Sequence, residues 1–212
     1  MNDQSFHDEP AGAPTNATGL GSVKPRRLGS KVAFVIWNEI GNLQLRLRLV
    51  NFILLFCPNL TFGRLRTAVY RLCGVRIGPG TSIIGNLSLA GSGPISRRLR
   101  VGKACCLNAP LHLDLNAEIT IGDGVAIGHH VVFLTSEHEI GSPSYRCGVS
   151  VYKPITVGDG CWIGAGSTIL PGVTIGEGSI VSAGSVVSAP VPPNKLVAGN
   201  PARPIKSLLP DE

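Results

Sequence analysis

Val157, Ile163, Ile169, Ile175, Val181 and Val187 fall at unbroken six-residue intervals, and Ile121, Ile127 and Phe133 keep the same count upstream. Three residues after the aliphatic, five successive repeats carry Gly160, Gly166, Gly172, Gly178 and Gly184. Two residues before it stand Cys161, Ser167, Ser179 and Ser185, all small. Residues two apart in an extended strand share a side, so the small residue and the aliphatic both face inward. The glycine then supplies the turn. Three such strands per coil close a triangular prism, with coils stacked roughly 4.8 Å apart. Further rungs stand at Ile77, Ile83 and Leu89, and at Val101, Leu107 and Leu113, with GSGPISRRLR inserted between those two coils. The pattern predicts a mainly β protein built on a parallel β-helix over 75–190. The period does not fix its hand, and the general crossover rule favours a right-handed path.

The count stops at FLTSEHEIG, residues 133–141, and an extended loop is expected over 135–153. Upstream of the prism, residues 1–30 are rich in Gly, Pro, Ala, Thr and Asn with no apolar period, which predicts a disordered arm. A helical N-terminal cap region follows at 31–74. Its last piece, TFGRLRTAVYRLCG, predicts a helix with Thr61 as N-cap, an apolar face of Leu65, Ala68, Val69 and Leu72, and Gly74 as the stop. The middle piece reads two ways: Leu43, Leu47, Val50 and Leu54 suit a helix, and the alternation LQLRLRL suits a strand. The longest apolar run there, FILLFC, is far short of the roughly 18 residues that span a bilayer.

A chain of 212 residues suits one domain with an appendage. Glycine at 27, proline at 16 and only 5% aromatics place Val, Ile, Leu, Ala and small residues in the core. The six cysteines include no CxxC pair, and the polar start MNDQSFHDEP is not a cleavable secretion signal, so reduced thiols and a cytoplasmic location are expected. Cys105 and Cys106 read as small fillers. The net charge is +6, and from Lys24 to Arg76 ten Lys or Arg residues face the single acid Glu39. Two readings of that asymmetry stay open. One is peripheral attachment to anionic lipid through Arg46, Arg48, Arg64, Arg66 and Arg71; the other is a solvated cap on the exposed end of the prism. No nucleic-acid partner is expected.

The segments KPITVGDGCWIGAGSTILPGVTIGEGSIVSAGSVV and VPPNKLVAGNPARPIKSL give the chain from Val75 to Leu208 a resemblance to the hexapeptide-repeat acyltransferases. It is closest to the O-acetyltransferases that act on sugars, the galactoside, maltose and colanic-acid-type groups. The resemblance implies a left-handed parallel β-helix, a homotrimer, and acetyl-CoA as acyl donor in the groove between adjacent prisms. It also implies a CoA-binding tail at 191–212 and a saccharide or lipid-linked glycan as acceptor.

By the same resemblance His138 occupies the catalytic position. Imidazole can take a proton from a sugar hydroxyl near neutral pH, which makes the oxygen a nucleophile toward the thioester. Direct transfer needs no acyl-enzyme, so Cys147 in the same loop has no required role. For the donor, the resemblance matches Trp162, Ala165, Ala183 and Ser188 along the groove and Arg203 and Lys206 at the nucleotide phosphates. Where many members have Lys after Ser188 this chain has Ala189, and Lys195 is the candidate replacement. For the acceptor it points to Asn108 and Asp114, which read equally as corner residues satisfying turn backbone, with Glu137 and Glu139 flanking the base. Alternation forbids both glutamates and His138 from facing one substrate. His129 and His130 read as corner residues and His112 as facing either the sugar groove or solvent; no metal is expected, because the His-x4-His pair of the zinc-bearing β-helix branch is absent. The competing readings are a non-catalytic scaffold or binding module and an amine or antibiotic acceptor.

Overall fold

The computed structural model describes residues 45–55 and 62–209; the expected arm at 1–30, the region 31–44, Cys57 and Thr61 lie outside them. Five coils of three strands each make the prism. The first holds β1 (Arg76–Ile77), β2 (Ser82–Ile84) and β3 (Leu87–Ala90), the second β4 (Leu99–Val101), β5 (Cys106–Asn108) and β6 (Leu111–Asp114). The third holds β7 (Ile119–Ile121), β8 (Ala126–Ile127) and β9 (Val132–Phe133). A hairpin of β10 (Ser136–Ile140) and β11 (Cys147–Tyr152) then leaves the prism. The fourth coil resumes with β12 (Ile155–Val157), β13 (Trp162–Ile163) and β14 (Thr168–Ile169), and the fifth with β15 (Thr174–Ile175), β16 (Ile180–Val181) and β17 (Val186–Val187).

Each face is a parallel sheet of equivalent strands: β1-β4-β7-β12-β15 on face A, β2-β5-β8-β13-β16 on face B, β3-β6-β9-β14-β17 on face C. On face B, β18 (Lys195–Gly199) runs parallel to β16, and β19 (Ala202–Ser207) folds back antiparallel on β18. Both members of each inward pair are buried, Cys161 with Ile163, Ser167 with Ile169, Ser179 with Val181 and Ser185 with Val187. The repeat glycines take φ of +64 to +81, the left-handed region where a Cβ is strained, which is why the turn selects them.

The insertion GSGPISRRLR is built into the wall and is not the flexible, partly basic loop its composition suggests. Ile95 and Leu99 are buried, and Leu99–Val101 is the strand β4. The Arg98 guanidinium donates to the carbonyls of Ser92, Leu115 and Asn116 at 2.9, 2.9 and 3.0 Å. An arginine holding three carbonyls fixes a loop that proline and glycine alone would leave loose.

Two helices close the first coil, α1 (Leu45–Leu55) and α2 (Gly63–Leu72), so the ambiguous middle piece is helical. Phe62, at φ 57, stands at the N-cap of α2, and Gly74, at φ +92, follows its end. The face that α2 buries is the reverse of the apolar one: Arg66, Thr67 and Tyr70 are inside, while Leu65 is 51% and Leu72 83% exposed. The cause is the open edge of the first coil, whose backbone groups have no coil beneath them. Tyr70 Oη accepts from Leu87 N at 3.0 Å on face C. Thr67 Oγ1 accepts from Ile83 N at 3.3 Å and lies 3.2 Å from the Thr81 carbonyl on face B. Arg71 donates to the carbonyls of Ile77, at 2.9 Å, and Gly78 on face A. One helix therefore supplies polar partners to all three faces. It approaches closely because Gly63 has no side chain; a Cβ there would sit 2.5 Å from Ser82 Oγ.

Candidate active site

The hairpin leaves the prism at the edge between faces C and A, and buried groups anchor its base. Thr135 is fully buried; its N–H donates to Asp114 Oδ2 at 3.1 Å and its hydroxyl to the Asp114 carbonyl at 2.8 Å. That hydroxyl accepts from Ala117 N at 3.0 Å, and the Thr135 carbonyl accepts from Lys153 N at 2.8 Å, closing the far end of the hairpin. Asp114 Oδ1 takes hydrogen bonds from the Asn116 backbone, at 3.2 Å, and side chain, at 2.8 Å. Burial raises its carboxyl pKa, but hydrogen bonds from Ser136, Asn116 and Thr135 together outweigh burial and hold it below the usual value. Asp114, 6% exposed and committed to these donors, braces the hairpin and presents no open carboxylate to an acceptor.

On the hairpin His138 pairs across with Ser150, and Glu137 with Val151. Opposite residues share a side, so His138 and Ser150 stand on one face and Glu137 on the other. Glu137 forms an ion pair with Lys153, and Glu139 is exposed. The imidazole is exposed, and its Nδ1 lies 3.0 Å from the Gly148 carbonyl oxygen. A carbonyl only accepts, so Nδ1 carries the proton and Nε2 presents its lone pair outward. Gly148 is bare for a reason: a Cβ there would sit 2.7 Å from the Glu139 carbonyl oxygen. Thr135, Asn116 and Gly148 are site-building residues that the repeat pattern did not single out. Their signal is local, a small polar residue at the exit from the sixth-residue count and a glycine opposite the histidine.

The other candidates stand elsewhere on the prism. Ala165, half-buried, and Ala183, exposed, stack at the edge between faces B and C, where a Cβ on Gly164 would lie 2.4 Å from Ala183 N. Asn108, at the end of β5, reaches the same edge and donates to the Ile127 carbonyl at 3.0 Å. Trp162 is 57% exposed on face B. Lys195 lies on β18, and Arg203 and Lys206 on β19 pair with Ala198 and Leu196. Exposed Ser188 alone lies at the hairpin's edge of face C. One protomer thus keeps Trp162, Lys195, Arg203 and Lys206 on face B, Ala165, Ala183 and Asn108 at its edge with face C, and His138 and Ser188 at the far edge of face C, a repeat of six residues and roughly 15 Å away. His112 Nδ1 lies 3.1 Å from Ser88 Oγ on face C, and His129 and His130 meet edge to face at the B–C corner. Among the described residues no three His, Cys, Asp or Glu side chains gather as metal ligands would.

Residues 154–189 match the family model described as bacterial transferase hexapeptide, six repeats. The chain is 31% identical to the hexapeptide-repeat acetyltransferase of Vibrio cholerae O1 biovar eltor, solved with acetyl coenzyme A. That match covers 81% of this chain and 90% of the other, with a TM-score of 0.67. The chain belongs to the hexapeptide-repeat acetyltransferases. Its coil is accordingly left-handed, against the general crossover rule, which describes strand–helix–strand units rather than stacked short strands. Within the family it also resembles a maltose O-acetyltransferase of Clostridium difficile 630, at 27% identity over 84% of this chain and 89% of that one, TM-score 0.66. Nodulation protein L of Rhizobium meliloti is 47% identical over 87 residues, 41% of this chain and 48% of that protein. The chain spans about half the length of the curated relatives it matches.

Proposed function

We propose that this acetyltransferase moves an acetyl group from acetyl-CoA to a hydroxyl of a saccharide, free or lipid-linked, in the cytoplasm. The observation that carries the reading is His138, exposed on the hairpin with Nδ1–H held by the Gly148 carbonyl and Nε2 open. Nε2 takes the proton of the acceptor hydroxyl as its oxygen attacks the thioester carbonyl carbon. The C–S bond then breaks, and the proton passes to the departing CoA sulfur. No covalent intermediate on the protein is needed.

The donor lies along Trp162, Ala165 and Ala183, where small side chains let the pantetheine arm approach the backbone, and Lys195, Arg203 and Lys206 meet the nucleotide phosphates. Because these residues and His138 occupy different edges of one prism, we place the reaction between two prisms of a homotrimer. The wall bearing Ala165 and Ala183 then belongs to one protomer and the imidazole to the next, with Ser188 beside that imidazole. Asn108 remains for the acceptor, its side-chain carbonyl free of the bond that its NH2 group makes. Support for the donor and for a sugar acceptor comes from the relatives: one solved with acetyl coenzyme A, another a maltose O-acetyltransferase.

Release of free CoA thiol on mixing the protein with acetyl-CoA and a panel of sugars tests the reading. His138→Ala should lower kcat by about 100-fold or more while CoA affinity holds, since general-base catalysis contributes that much. Equal turnover in the variant would remove His138 from the chemistry.

A further inference from the structure

Of the thirteen exposed large hydrophobic residues among the described residues, six lie in the short cap: Leu49, Phe52 and Ile53 on α1, Phe62 at the start of α2, and Leu65 and Leu72 along it. Their exposures run from 51% to 83%. Closing the prism does not require them. The inward side of α1 is already filled by Leu47 and Leu54, and α2 closes the first coil with Thr67, Tyr70 and Arg71. An apolar outward face on both cap helices therefore serves something outside the fold.

Charge says what. No Asp or Glu occurs anywhere between Glu39 and Asp114, an interval holding ten Lys or Arg residues. Arg66 is buried, Arg71 is bound to backbone carbonyls, and Arg100 and Lys103 pair with Glu118 and Asp123 of the third coil. Arg64 is exposed on α2, and Arg76 is exposed on β1, the first strand after the cap. The acids of the prism all stand from the second coil onward, so the helical end of the described fold carries cations and no carboxylate. A face that is apolar, with Arg64 and Arg76 exposed beside it and no acid on it among the described residues, complements a bilayer carrying anionic headgroups. Among the described residues no helix is long enough to cross one.

We propose that the α1–α2 end docks on the surface of an anionic bilayer, with Leu49, Phe52, Ile53, Leu65 and Leu72 entering the headgroup region and Arg64 and Arg76 meeting lipid phosphates. The prism then stands on its capped end. The hairpin, two coils above the first, lies about 20 Å from the membrane, counting roughly 4.8 Å per coil and about 10 Å for the helix layer. A lipid-anchored glycan comes within reach at that height.

Co-sedimentation of the full chain with vesicles tests this. Phosphatidylcholine vesicles alone should leave it in solution; vesicles with about one third phosphatidylglycerol should pellet it at low salt, with a several-fold loss near 0.5 M salt, where screening shortens to about 4 Å. Ile53→Asp with Leu72→Asp should weaken pelleting at least about fivefold and leave the melting temperature unchanged, both side chains being exposed. Arg64→Glu with Arg76→Glu gives a second readout that leaves the apolar face intact and should also abolish pelleting. Failure to pellet at low salt, or pelleting indifferent to both pairs, overturns the proposal. So does light scattering in which the wild type without vesicles has twice the mass of the Ile53→Asp, Leu72→Asp variant, for the face would then join protein to protein.

Discussion

Asp114 shows how little a residue's chemistry says until its partners are known. In the sequence it is an acid near the histidine loop and a candidate for holding a sugar; in the fold its two oxygens take the hydrogen bonds that seat Thr135 and Asn116 at the root of the hairpin. Since its folded pKa is lowered, the stability it contributes is complete above the ordinary carboxylate pKa and is lost as pH falls through the folded value. Asp114→Asn should cost about 1–3 kcal/mol at neutral pH, the worth of hydrogen bonds to a charged acceptor. The gap between wild type and variant should narrow in thermal melts taken below about pH 4; a gap constant from pH 7 to pH 3 would show that the carboxylate's charge is irrelevant. His138 is the opposite case. The break in the sixth-residue count and the resemblance together pointed at it, but the tautomer was not legible, because it depends on Gly148, ten residues further on and across a hairpin.

Elements divide by what enforces them. The coils were readable because each must place two inward residues per side of a closed prism, a constraint that repeats and so accumulates along the chain. The hairpin carries no such repetition: SEHEI and CGVSVY pair with each other alone, with a register shift between His138 and Ile140, and composition could show only a loop. The cap helix was read with its faces exchanged. Periodicity assigns apolar residues inward, whereas the inward task of α2 is to meet backbone groups at a sheet edge, which takes Thr67, Tyr70 and Arg71. Burial raises the Tyr70 hydroxyl above its ordinary pKa, against the hydrogen bond with Leu87 that lowers it. The hydroxyl therefore stabilises the fold below about pH 10 and loses that contribution as pH climbs through its folded value. Tyr70→Phe should lower stability by about 1 kcal/mol in urea titrations at pH 7 and flatten the alkaline decline. An unchanged midpoint would mean that the cap holds by packing alone.

At the scale of the whole molecule, the proposed site draws its residues from two prisms. His138 and Ser188 mark one edge of face C, Ala165, Ala183 and Asn108 the other, and the flat wall between them keeps one protomer from closing a site on itself. The resemblance implies a groove between prisms, and the proposed reaction needs one to bring the two edges together. The fold also separates two ends of the particle, the helical cap below and the tail of β18 and β19 above. The most direct test is complementation between two disabled chains. His138→Ala lacks the base, and Ala183→Trp fills the wall where the donor is proposed to lie; each alone should be inactive. Refolded together in equal amounts, they should regain roughly a quarter of wild-type turnover, since a site between neighbours in a cyclic trimer draws an intact base and an intact wall independently. Mixed trimers verified by mass but lacking activity would contradict a site shared between prisms.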